Sequence, residues 1–217
     1  MTTKTYSDLL SIIKSLCGVE FATIELPRIN TFVNRRAKRA YRASNNWPRF
    51  ITVGEARTTA GTTSKYVPYT QAAGGLGVIG TFLKINAVAP FTTSSPQDIN
   101  FHVDSNGANL ITSNLPTSVF VTYKKVLADT YGDTTGMVQE IPSEWFDYIA
   151  HGVYSDYLRA EGQQEKSQLT DQEASVILDD ELIQVDQQGA GMTFGARYLQ
   201  NTAGNNTSNN MLRRSLG

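Results

Sequence analysis

Apolar residues recur at helical spacing near the start of the chain. Leu9, Ile12, Ile13 and Leu16 fall on one side of a helix predicted over 6–16. Thr5 and Asp8 have the spacing of a capping box, and Gly18 suits the C-terminal stop. A second helix starts at Pro27, whose missing N–H would be unpaired in a first turn anyway. Ile29, Phe32, Val33, Ala37, Ala40 and Tyr41 share one side of it, and Arg28, Arg35, Lys38, Arg39 and Arg42 the other. Arg36 lies at the edge of the apolar side. Asn45-Asn46 and Trp47-Pro48 end this helix, because the residue before proline disfavours helical dihedrals.

From Phe50 to about Tyr131 the period changes. Thr, Gly and β-branched residues dominate, and strands are predicted over 50–53, 80–86, 99–103 and 119–125. Ile99, Phe101 and Val103 alternate with Asn100 and His102, and Asn106-Gly107 turns the chain towards 109–111. Helical spacing returns at Pro142 through Phe146, Ile149, Ala150, Val153, Tyr157 and Ala160. Gly162 breaks the pattern. A fourth helix is predicted to about Gln187, with Leu169, Val176 and Ile183 at heptad spacing and Leu182 nearby. From Gly189 onward Gly, Asn, Thr and Ser dominate, a composition that builds no core of its own. The expected fold class is α+β. About four helices form a bundle from 1–49 and 136–188, a small antiparallel β domain over 50–135 is inserted between helices two and three, and 189–217 forms an extended C-terminal arm.

Composition narrows the class. Of 217 residues, 18% are charged and the net charge is −1, so wholesale electrostatic binding to nucleic acid or membrane is not implied. The single cysteine, Cys17, precludes an internal disulfide, and with two histidines a Cys/His metal site is nearly excluded. No apolar run approaches the roughly 20 residues of a membrane span, and no signal peptide is recognised at the N-terminus. The expectation is a soluble protein of a reducing compartment. The neutral total hides a segregation of charge. Residues 28–57 hold eight basic groups against Glu55, and 129–186 hold fourteen acidic groups against Arg159 and Lys166. The two regions could pair within one molecule or between copies.

Candidate chemistry is sparse. Gly75-Leu76-Gly77-Val78-Ile79-Gly80 matches G-x-G-x-x-G, but a strand rather than a helix is predicted after it, so a dinucleotide site is not expected. His102 stands beside Asp104 on a polar strand face, and His151 lies one turn from Asp147, a surface pair. Glu140 with Glu144, or Asp179 with Glu181, would be the carboxylate pairs for acid–base work, yet acidic helices contain such pairs anyway. Cys17 is expected as a buried small residue and Trp47 and Trp145 as core plugs. The sequons at Asn205 and Asn206 have no meaning without secretion. Neither catalytic residues, nor a cofactor, nor a metal is expected.

One order of motifs stands out. Arg35-Arg-Ala-Lys-Arg-Ala-Tyr41 is closed by Asn46-Trp-Pro48 and leads into the β region, whose closing strand is Ser118–Lys125. Glu140-Ile-Pro-Ser-Glu-Trp-Phe-Asp-Tyr-Ile149 follows, then Tyr157-Leu-Arg-Ala-Glu-Gly-Gln-Gln-Glu-Lys166 and a long acidic helix. Over roughly residues 5–190 this order resembles the head-to-tail adaptor proteins of short-tailed bacteriophages, the tail tubular protein A type. The resemblance implies a structural virion protein, in the host cytoplasm before assembly and in the tail or neck region after it. Copies of the chain, twelve in the family, would form a ring joining the portal protein to the tail nozzle, a tail tubular protein B type. The genome would pass through the ring without sequence-specific binding, and no membrane is involved. Phe194, Tyr198, Leu199, Arg213 and Arg214 are then the expected portal anchors. Arg35, Lys38, Arg39 and Arg42 are the expected subunit contacts or channel-facing charges. The alternative reading is a nucleic-acid-binding module using the same basic helix, with salt-dependent affinity for phosphates. An enzyme ranks last.

Overall fold

The computed structural model describes residues 4–62, 64–71, 76–91, 97–112, 116–127, 130–132 and 139–204, with side chains described as far as Gln187. Helix α1 (Tyr6–Cys17) begins at Thr5, whose hydroxyl accepts from the Asp8 amide while the Asp8 carboxylate accepts from the Thr5 amide. Gly18 ends it in the left-handed conformation at φ 68°. Helix α2 (Leu26–Ala43) stops at Ser44. Helices α3 (Ser143–Ala160) and α4 (Gln164–Gly204) form an antiparallel hairpin turned at Gly162, φ 81°.

Helix α3 is the centre of the bundle. Trp145, Phe146, Tyr148, Ile149, Ala150, Val153 and Leu158 are buried around its whole circumference, which only a helix enclosed by neighbours can achieve. Leu9 and Ile13 of α1 and Ile29, Val33, Ala37 and Ala40 of α2 complete the core with Ala174, Leu178 and Val185 of α4. Burying each larger aliphatic side chain contributes about 1.5–3 kcal/mol. Strand β1 (Lys4–Thr5) pairs with β8 (Glu140–Ile141), which ties the start of α1 to the start of α3.

The remaining strands, β2 (Ile51–Thr58), β3 (Tyr66–Pro68), β4 (Ile79–Asn86), β5 (Asn100–Val103), β6 (Gly107–Ile111) and β7 (Ser118–Lys125), lie between α2 and α3. They form two antiparallel three-stranded sheets, ordered β2-β7-β4 and β3-β6-β5. The sheets join at their edges. The Ile99 amide donates to the Ile85 carbonyl at 2.8 Å, and the Ile79 amide to the Tyr69 carbonyl at 2.9 Å. Val67, Phe82, Ile85, Leu110, Val119, Val121 and Tyr123 fill a second core between them. Among the described residues the fold is α+β with four α-helices, as the periodicity predicts.

Two features differ from the sequence reading. Leu169, Val176 and Ile183 do not face the core. Ala174, Leu178 and Val185, with Ser167, occupy the buried side, so of two apolar stripes on α4 the less conspicuous one packs. Helix α4 also continues past Gln187 to Gly204, taking in 189–204 of the segment assigned to the arm. That stretch contains no proline, and each interior glycine costs a helix only about 1 kcal/mol. Residues 205–217 lie outside the described residues.

The two cores meet around an aromatic cluster. Phe50 stacks on Trp145 at 5.0 Å, Trp47 meets Trp145 edge-on at 5.6 Å, and the Trp47 indole donates to the Ala40 carbonyl at 2.9 Å. Buried Lys124 on β7 donates to the Tyr41 and Ser44 carbonyls at 2.6 Å each, satisfying orphan acceptors at the end of α2. The Tyr41 hydroxyl donates back to the Lys125 carbonyl at 2.7 Å.

Candidate functional site

The basic residues of α2 divide into a buried cation and an exposed face. Arg36 is 4% exposed and crosses α3 where Gly152 leaves room for it. A Cβ at Gly152 would sit 2.8 Å from the Arg36 Cδ. Arg36 Nε and Nη2 donate to the two Asp156 oxygens at 2.9 and 2.8 Å, and Nη1 to Asp171 Oδ1 at 2.6 Å. One guanidinium thereby joins α2, α3 and α4, with the forked geometry that arginine provides for carboxylates. Burial alone would raise the Asp156 pKa, but the hydrogen bonds and charges of Arg36 and Arg35 hold it below the usual carboxylate value.

Arg35 is exposed, yet its Nη2 lies 2.6 Å from Asp156 Oδ1 and its guanidinium packs over Phe32. Arg28 reaches Glu161 at 3.6 Å and covers the same ring. Lys38, Arg39 and Arg42 are exposed and have no carboxylate within 4 Å among the described residues. Of the four expected contact charges, Arg35 is therefore engaged inside the molecule, and the other three have no ion pair among the described residues. The spacing along α2 already sets Arg36 apart at the edge of the apolar side, but its burial was not legible, because it depends on residues more than a hundred positions away.

The acidic counterpart lies on α3 and α4. Glu165, Glu173, Asp179, Asp180 and Asp186 are exposed on α4. Glu181 is half-buried, and burial together with Glu144, Asp147 and Asp180 pushes its pKa above the ordinary carboxylate value. Lys4 reaches Asp147 at 3.7 Å, and His151 Nδ1 reaches Glu173 at 3.6 Å, so Asp147 and His151 have separate partners instead of each other.

The other singled-out residues show no convergent chemistry. Gly77 and Gly80 of the glycine run lead into and lie within strand β4 instead of opening a helix, and Gly75 lies outside the described residues. The Gly77 carbonyl accepts from the buried Arg57 at 2.6 Å. His102 is exposed beside Asp104, whose side chain accepts from the Asn106 and Gly107 amides to shape the β5–β6 turn. Cys17 is half-buried, and burial pushes its thiol up to about 11. Glu140 is paired with Arg49 at 2.6 Å. Among the described residues no group of three or more His, Cys, Asp or Glu side chains is placed to hold a metal, and no helix is long and apolar enough to cross a membrane. Of the expected portal anchors, Phe194, Tyr198 and Leu199 stand on the α4 backbone, and Arg213 and Arg214 lie outside the described residues.

No protein-family model matches the chain, and a comparison with curated proteins returns no match.

Proposed function

We propose that this chain is a structural adaptor of a short-tailed phage virion, a ring of copies between the capsid portal and the tail nozzle through which the genome passes. What supports the reading is the length of α4. Its 41 residues extend about 60 Å, against about 27 Å for the 18-residue α3 on which it packs. Such an outrunning helix, rich in glycine beyond Gln188, is a poor helix by itself and a good one against a neighbour. In the adaptor reading that neighbour is the portal protein, engaged through Phe194, Tyr198 and Leu199 and, further on, Arg213 and Arg214. The β region faces the nozzle, and no step of catalysis is assigned to any residue.

The test is sedimentation with the cognate portal ring, comparing the full chain with one ending at Gln188. Co-sedimentation of the full chain that is lost on truncation is expected. If neither form sediments with the portal while both are folded, the adaptor reading is wrong. A nucleic-acid module would instead use Lys38, Arg39 and Arg42. It requires that the isolated chain shift duplex DNA at low salt, with affinity falling steeply as salt rises.

A further inference from the structure

We infer that the outward face of α4 is a docking surface for the basic face of α2 in a second copy of this chain. The inference deepens the ring reading by naming the surfaces, and rests on it only in taking a second copy as the partner.

Leu169, Val176 and Ile183 are 67%, 58% and 54% exposed, and they lie seven residues apart along the side of α4 opposite its buried residues. At 100° per residue all three fall within about 40° of one another, so they make one straight apolar stripe. Glu173 and Asp180 border the stripe on one side, and Asp179 and Asp186 on the other. An occupant must therefore offer apolar cover along its centre and cations at both margins. Nucleic acid meets neither demand, because its phosphates would face these carboxylates.

The outer face of α2 meets both. Lys38, Arg39 and Arg42 present long aliphatic stems that can lie along apolar side chains while their charged ends reach the margins. They carry no ion pair in their own molecule among the described residues, and neither do Asp179, Asp180 and Asp186 at the margins of the stripe, whereas Glu173 is reached by His151 at 3.6 Å. Each face lacks what the other supplies. Intramolecular pairing, which the charge segregation allowed, is realised at Arg28, Arg35 and Arg36 and leaves this pair of faces over.

The experiment is sedimentation velocity of the full chain at about 50 mM salt, over concentrations to about 100 µM, with two charge-reversed chains. One carries Lys38→Glu and Arg39→Glu, the other Asp179→Lys and Asp180→Lys. Wild type is expected to self-associate, each reversed chain to do so at least about tenfold more weakly, and their equimolar mixture to recover the wild-type behaviour. A chain carrying all four substitutions is expected to self-associate as well, which shows that the losses do not come from misfolding. Monomeric wild type, undiminished association of either reversed chain, or failure of the mixture to recover would overturn the inference. So would an α2 reversal that abolishes binding to a duplex DNA oligonucleotide and leaves self-association unchanged. Association that stops at a dimer retains the α2–α4 surface and sinks the ring reading instead.

Discussion

Arg36 of α2 and Asp156 of α3 form a two-pronged ion pair at 2.9 and 2.8 Å, buried where three helices meet. A pair like this contributes less by its net energy than by what happens when half of it is missing. Arg36→Met leaves Asp156 with only the exposed Arg35, and we expect a loss of about 3–5 kcal/mol in urea unfolding. Replacing both, as Arg36→Met with Asp156→Leu, should cost clearly less than the sum of the single changes. Additive losses would show that the two side chains do not act as a pair.

The same pair sets an acid limit. Because the folded Asp156 pKa lies below its ordinary value of 3.8, its stabilisation is complete above that pH. It is lost as pH falls through the folded value. Stability followed from pH 6 to pH 2 should therefore drop more steeply for wild type than for Asp156→Asn, and equal slopes would contradict the assignment.

Gly152 exists as a notch for Arg36. In wild type, Gly152→Ala sets a Cβ 2.8 Å from a side chain pinned by two carboxylates, and should destabilise by about 1–3 kcal/mol. In an Arg36→Ala background the clash is gone, and the same change should become neutral or gain up to about 1 kcal/mol of helix propensity. A penalty of equal size in both backgrounds would mean that Gly152 serves something other than Arg36.

Lys124 imposes a signature at alkaline pH. Burial pulls its ammonium down from 10.5 to about 8. Between those values the unfolded chain holds more protons than the folded one, so the contribution of this group to stability rises with pH across the window. Chemical denaturation at pH 7.5, 8.5 and 9.5 should show that rise in wild type and a flatter profile in Lys124→Met.

Cys17 should be a slow nucleophile. A thiol pushed from 9.0 to about 11 holds roughly a hundredfold less thiolate at neutral pH. Alkylation by iodoacetamide in the native protein should lag far behind the unfolded chain, and comparable rates would show that α1 frays at its end.

What was legible in the sequence was local. Thr5 with Asp8, Gly18, Trp47-Pro48, Gly107 and Gly162 cap, stop or turn the chain through neighbours within a few residues, so helix order and most strand positions follow from spacing alone. Strands β1, β3 and β8 were missed because two or three residues are too short to show a period. The separation of α2 into a buried arginine and a free basic face is different in kind. Arg36 sits at the border of the apolar side, and only Gly152, Asp156 and Asp171 decide that it turns inward. On α4 the sequence offers two apolar stripes of similar spacing. The hairpin at Gly162 and the seat of Ser167 against Ser155, with a hydroxyl-to-carbonyl bond of 2.8 Å, select the stripe with Ala174 and Leu178. A period specifies that a helix has a face, whereas the partners that make a face inward or outward come from distant segments, and only their packing together determines it.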